Sequence, residues 1–143
     1  MKTVQQLLET KGNAILSVSP DTMVYDALVI MAEHHVGALV VLESDGHLAG
    51  IFSERDYARE VALKGKTSKV TKISEVMSTT VITVRPDQLV DECMELMSGK
   101  RIRHLPVIEN DRVVGVLSIG DLVKETITYQ QFLIQQLESY IQG

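Results

Sequence analysis

Apolar residues recur along this chain in two rhythms, and the sequence of rhythms comes round twice. Near the start, Val4, Leu7 and Leu8 share one face at the three-and-four spacing of an α-helix, which predicts a short helix over residues 3–10. Lys11-Gly12-Asn13 ends it, with Gly12 suited to a left-handed cap. Residues 14–18 (Ala-Ile-Leu-Ser-Val) read as extended. Asp21 is the expected N-cap of the next helix, whose apolar face is Met23, Val24, Ala27, Leu28, Ile30 and Met31. His34-His35-Val36-Gly37 closes that helix. The unbroken apolar run 38–42 predicts a strand covered on both faces. A turn at 44–47 contains the Asp45-Gly46 pair of tight hairpins, residues 48–52 form the return strand, and a helix is expected over 54–63. Residues 64–72 are polar and basic, and read as a flexible linker.

The same order then repeats. Val18-Ser19-Pro20-Asp21 matches Val84-Arg85-Pro86-Asp87, Leu39-Val40-Val41 matches Leu105-Pro106-Val107, and Ser53-Glu54-Arg55-Asp56 matches Ser118-Ile119-Gly120-Asp121. Asp21 to Asp87 is a step of 66 and Asp56 to Asp121 a step of 65, so one residue is lost at the hairpin. The reading is therefore a mixed α/β (α+β) chain of two βαββα repeats at 12–63 and 73–126. A linker at 64–72 joins them, and a C-terminal helical extension spans 127–143. Each half is too small to bury a sufficient core alone, so the halves are expected to pack through their sheets about a pseudo-twofold axis. The final helix carries an apolar stripe (Leu122, Ile127, Tyr129, Phe132, Leu133, Leu137, Tyr140 and Ile141) that outruns the repeat and calls for a packing partner.

Composition narrows the function. A net charge of −5 argues against general nucleic-acid binding. One cysteine, Cys93, excludes an internal disulfide framework and a cysteine-cluster zinc site. Without an apolar run of membrane-spanning length or a signal-peptide core, a reducing cytoplasmic setting is expected. Adjacent His34 and His35 point apart on a helix and do not make a metal pair. Cys93 lies among Val90, Met94, Leu96 and Met97, as a buried inert thiol would. No nucleophile, base and orienting group converge, so no catalytic residue, catalytic cofactor or metal is expected.

The chemistry sits in the doubled Gly-x-x-Ser-x-x-Asp, Gly50 to Asp56 and Gly115 to Asp121. Ser-x-x-Asp before a helix is a capping box, in which serine and aspartate satisfy each other's backbone amides. It is also a start for an anion site: a hydroxyl beside free helix N–H groups, with a carboxylate one turn on whose oxygens only accept and so suit a ribose diol. The two readings are compatible. Arg55 and the run Lys100-Arg101-Ile102-Arg103-His104 concentrate cations that phosphate would use, or form a solvated basic face.

The repeat, the Pro-Asp before each first helix, Arg103-His104-Leu105-Pro106-Val107 and the doubled Gly-x-x-Ser-x-x-Asp resemble a tandem pair of cystathionine-β-synthase (CBS) domains over about residues 12–126. The resemblance implies a signal-transduction and energy-sensing module, not an enzyme. Such a module holds AMP, ADP, ATP or NAD(H) in clefts between the repeats and associates as a homodimer, serving a regulated protein that the chain does not identify. Carried over by residue, one nucleotide site uses Ser53, Arg55 and Asp56 with Thr80, Ile82, Arg103, His104, Leu105 and Pro106. The other uses Ser118, Gly120 and Asp121 with Ala14, Leu16, Val36, Gly37, Ala38 and Leu39. Gly37 and Gly120 either allow close approach of a base or phosphate or meet ordinary turn requirements. Val36-Gly37-Ala38 brings no charge where the other half has Ile102-Arg103-His104, so the two sites are expected to differ. The competing reading is a ligand-free interaction module in which Ser-x-x-Asp only caps helices.

Overall fold

Helix α1 runs Val4–Lys11 in the computed structural model, which describes residues 2–142. It is followed by β1 (Ser17–Val18), α2 (Val24–His34), β2 (Ala38–Leu42), β3 (Leu48–Ser53) and α3 (Glu54–Asp56). After α3 come a π-helical stretch (Tyr57–Ala62) and two 3-10 turns (Ser68–Val70 and Ile73–Glu75). The second round is α4 (Val90–Lys100), β4 (His104–Glu109), β5 (Arg112–Ser118) and α5 (Ile119–Gln142). The chain forms two compact units. The first gathers the residues up to Asn13, Thr83–Val107 and those from Gly115 on; the second gathers Ala14–Ile82 and Ile108–Val114.

In the unit built on Ala14–Ile82, β2 is the central strand. β1 pairs with it in parallel (Val18 against Val41) and β3 antiparallel (Leu39 against Phe52, Ala38 against Ser53). The middle of the apolar run of β2, Leu39 to Val41, is buried, and Phe52, Val24, Ala27, Met31, Val61 and Ile73 close the core around it. Only Ser17 and Val18 of the expected extended stretch join the sheet. Asp21 is not the N-cap of α2; Met23 holds that position, in extended conformation and with no side-chain cap. The orphan amides find backbone acceptors instead. Val24 N–H donates to the Thr71 carbonyl at 2.8 Å, while Ile73 N–H donates to the Thr22 carbonyl at 2.8 Å. Met23 and Lys72 form an antiparallel bridge at the same place. The second half of the expected linker is thereby held: Thr71 is buried, and its hydroxyl donates to the Thr67 carbonyl. The helix expected over 54–63 is α-helical for one turn only. Leu63 N–H then reaches back five residues to the Ala58 carbonyl, the widened π pattern.

In the other unit, Thr3 caps α1 with a capping box to Gln6. Val90 N–H at the start of α4 donates to the Lys2 carbonyl at 3.0 Å, and Thr3 bridges Leu89. Gly12 ends α1 at φ 94. The strand expected near Val84 is reduced to one parallel bridge with Val107. Leu7, Leu8, Val90, Cys93, Met97, Leu105, Leu117 and Leu122 are buried; Leu122 therefore belongs to the core and not to the leftover stripe of the last helix. α5 passes through residue 127 without a break.

The internal repeat is legible atom by atom. α2 and α4 are both 11 residues long and start 66 apart, at Val24 and Val90. Both end on a left-handed residue at φ 54, His35 and Arg101. The lost residue lies in the hairpins. β2 and β3 are joined by Glu43 to His47, a longer turn than the Asp-Gly pair alone would make, with a bulge at Val41/Leu42. β4 and β5 are joined by Asn110 and Asp111 alone, both at positive φ (53 and 60), the two-residue turn that matches strand twist.

Cys93 is fully buried, and burial first and Glu92 second push its thiol up to about 11. The native protein is therefore expected to resist thiol reagents at pH 8 and to react stoichiometrically once unfolded. A fast native-state reaction with Ellman's reagent would contradict this.

Candidate functional site

Both Ser-x-x-Asp motifs stand where a strand ends and a helix begins. Ser53 is in extended conformation (φ −125, ψ 168), which turns its hydroxyl back over the first helical turn. Asp56 N–H donates to Ser53 Oγ at 3.2 Å, and Ser53 N–H donates to Asp56 Oδ2 at 2.9 Å. In the second copy Asp121 N–H donates to Ser118 Oγ at 3.2 Å, and Ser118 N–H to Asp121 Oδ2 at 2.8 Å. Each motif is thus a complete capping box, and in each the carboxylate is pinned beside the positive end of the helix.

The two carboxylates have different further partners. Asp56 also accepts from the Ser53 hydroxyl at 3.0 Å, and its Oδ1 accepts from the Ser78 hydroxyl at 2.8 Å. Asp121 instead meets a cation: Lys11 Nζ lies 2.7 Å from Oδ2 and also donates to the Val116 carbonyl at 2.8 Å. Partial burial works to raise the Asp121 pKa. The Lys11 hydrogen bond, the Ser118 amide and the Lys11 charge together outweigh it and hold the carboxyl below its ordinary value. The two motif turns therefore differ in what holds their carboxylates, hydroxyls at Asp56 and a lysine at Asp121. Lys11 and Ser78 were not legible as site residues. Each lies outside the motif it serves, and no spacing rule connects Lys11 to a residue 110 positions away.

The depressed Asp121 pKa has a sign. Its contribution to stability is present above the ordinary carboxylate pKa near 3.8 and is lost as pH falls through the lower folded value. Lys11→Met keeps the aliphatic stem and removes the charge. After solvent screening of a partly exposed pair, it is expected to cost up to about 1 kcal/mol at pH 7 and progressively less as pH falls below 3.8. Thermal melts of both proteins across that range check it; a constant gap would contradict the assignment.

Around each motif the unit supplies neighbours. Glu54 N–H donates to the Gly37 carbonyl at 3.0 Å, so Val36, Gly37 and Ala38 lie beside the Ser53–Asp56 turn. At the equivalent place Ile119 N–H donates to the Arg103 carbonyl at 2.9 Å, so Arg103 and His104 lie beside the Ser118–Asp121 turn. Arg55 and Arg103 are exposed. Thr80 and Ala14 are exposed, and Leu16 and Val36 pack onto the core of their own unit. Leu39, Leu105 and Pro106 are buried, so what they can offer a ligand is backbone. Neither Gly37 nor Gly120 is at positive φ, and a Cβ on either would meet its nearest atom at 3.7 and 3.6 Å respectively, so the protein's own packing does not require glycine there. Among the described residues no group of three or more His, Cys, Asp or Glu is placed to hold a metal ion, and no helix is long and apolar enough to cross a membrane.

The two motif turns, set at equivalent places in a doubled strand-helix-strand-strand-helix order, define a class of paired-repeat modules, and known proteins share it. The CBS domain family matches residues 11–63 and 73–127. The mitochondrial CBS domain-containing protein CBSX3 of Arabidopsis thaliana is 40% identical over 149 residues, covering 99% of this chain and 72% of that protein. Among solved structures, a protein with CBS domains from Burkholderia ambifaria is 46% identical with a TM-score of 0.83, covering 89% of this chain and 95% of the other. The CBS domain pair of protein MJ0100, solved in complex with 5′-methylthioadenosine and S-adenosyl-L-methionine, is 25% identical with a TM-score of 0.79, covering 90% and 98%. The chain belongs to the CBS domain family. It is a CBS domain pair, a regulatory module.

Proposed function

We propose that this protein is a non-catalytic sensor of adenine nucleotides (AMP, ADP, ATP or NAD(H)) that grips its ligand at the Ser53–Asp56 and Ser118–Asp121 turns. One observation carries the reading: each repeat sets a carboxylate and a serine hydroxyl side by side at a helix N-terminus, the grouping that accepts from a sugar diol and donates to phosphate. The adenosine-type ligands of the related MJ0100 pair support the class of ligand. Sensing then requires only that the nucleotide bind two arrangements of the protein with different affinity. Two copies of the chain associate, and a regulated protein reads the change.

Isothermal titration with AMP, ATP and NADH tests it directly. Binding of at least one, with a rise in melting temperature, is the expected result. No heat from any of the three and unchanged melting would refute it.

A second reading has its own observation. Both carboxylates are already bonded within the chain, Asp56 on both oxygens. A module that only caps its helices and serves as an interaction platform would look the same without ligand.

A further inference from the structure

From Gln130 to Gln142 every residue of α5 is exposed, including Phe132, Leu133, Ile134, Leu137, Tyr140 and Ile141. A helical tail of this length is marginal in water unless an apolar face is packed, so its sequence implies a partner. The exposed positions Val123, Ile127, Gln130, Ile134, Leu137 and Ile141 follow one another at spacings of four, three, four, three and four, the seam of a left-handed coiled coil. Ile127, Ile134 and Ile141 fall at one seam position, and Val123, Gln130 and Leu137 at the other.

Charge says what covers the seam. From Thr126 to Gln142 the only charged residue is Glu138, so neither a basic nor an acidic peptide is matched, and a membrane surface would want lysines or arginines that are absent. The flank that carries Glu138 carries Lys124 two heptads earlier, both exposed, and among the described residues no ion pair reaches either. In an antiparallel pair of α5 helices, Ile127 faces Leu137 of the second copy, Ile134 faces its Gln130, and Ile141 faces its Val123. Lys124 then lies opposite Glu138 of the second copy at both ends of the seam. A parallel pair leaves both charges without an opposite, and aligns the helix dipoles unfavourably.

We infer that α5 is the surface through which two copies of this chain associate, as an antiparallel coiled coil. This deepens the association named above by giving it a surface, and it is independent of the nucleotide reading.

Sedimentation equilibrium on the full chain is expected to give a dimer for the wild type and a monomer for Ile134→Asp, whose circular dichroism loses only the helical signal of the tail while the thermal melt of the rest stays cooperative. Glu138→Lys should weaken the dimer about tenfold, and Lys124→Glu with Glu138→Lys should restore it. On oxidation, Ile127→Cys with Leu137→Cys should give a covalent dimer and Leu137→Cys alone should not; native Cys93 is buried and takes no part. A monomeric wild type would remove the association itself. A dimer that survives Ile134→Asp would keep the association and remove α5 as its surface. A covalent dimer from Leu137→Cys alone would overturn the antiparallel arrangement.

Discussion

Gly50→Ala is expected to lower the melting temperature by about 10 °C, against about 3 °C for the equivalent change Gly115→Ala. The two glycines open the same motif and face different neighbours. A Cβ at Gly50 would lie 2.5 Å from the Ser78 carbonyl oxygen and 3.0 Å from Met77 Sδ. That carbonyl cannot move freely, because Ser78 and Ile51 exchange two backbone hydrogen bonds of 2.9 Å. Relief therefore breaks a bridge and overpacks a buried strand, about 3 kcal/mol in all. It also displaces the Ser78 hydroxyl from Asp56. The nearest atoms to a Cβ at Gly115 all belong to the Leu8 side chain, its methyl groups at 2.7 and 2.9 Å and Cγ at 3.4 Å, and a side chain can change rotamer for about 1 kcal/mol. Thermal melts of the two variants decide it; equal losses would show that the Ser78 carbonyl is not the constraint.

The other large effect concerns the ligand. Asp121→Asn keeps an oxygen that can accept from the Ser118 amide, so the cap survives in part. It loses the charge that pairs with Lys11 and that, in the proposed site, strengthens the hydrogen bonds from a sugar diol. Nucleotide affinity is expected to fall tenfold to a hundredfold, since hydrogen bonds to a charged group contribute about 1.5–3 kcal/mol. Stability without ligand should fall by no more than about 1 kcal/mol. Asp56→Asn should cost more stability than Asp121→Asn, because Asp56 also holds the Ser78 hydroxyl on its second oxygen. Titration calorimetry and ligand-free melts separate the two effects. Loss of stability with unchanged affinity in both variants would favour the capping-only module.

Much of this site was written in local spacing. Ser-x-x-Asp before a helix-forming segment specifies a capping box, and both boxes formed, since every bond in them spans three residues. Lys11 and Ser78 could not be found that way. They reach Asp121 and Asp56 across 110 and 22 positions, and only the fold sets such distances. The N-cap of α2 failed for a related reason. Asp21 is a good local cap, but the Thr71 carbonyl already receives the Val24 amide, and Met23 is drawn into a bridge with Lys72. A backbone acceptor supplied by a distant segment took the place of the side chain that propensity favoured.

Periodicity marked the apolar face of α2 and the apolar strand run of β2, because side-chain burial repeats with the pitch of the helix and the pleat of the strand, and the match of Asp21 to Asp87 gave the step of 66 residues that α2 and α4 keep. It could not say which helix each lead-in segment would serve. Lys2 and Thr3, which open the first half in sequence, supply the carbonyl and the bridge for α4 of the second, 88 residues from Lys2 to Val90; Thr71 and Lys72 do the same for α2. An amide at a helix start must find an acceptor, and the sequence announces that need wherever a helix begins. Which carbonyl answers depends on how the chain has folded back, and that was settled by tertiary structure.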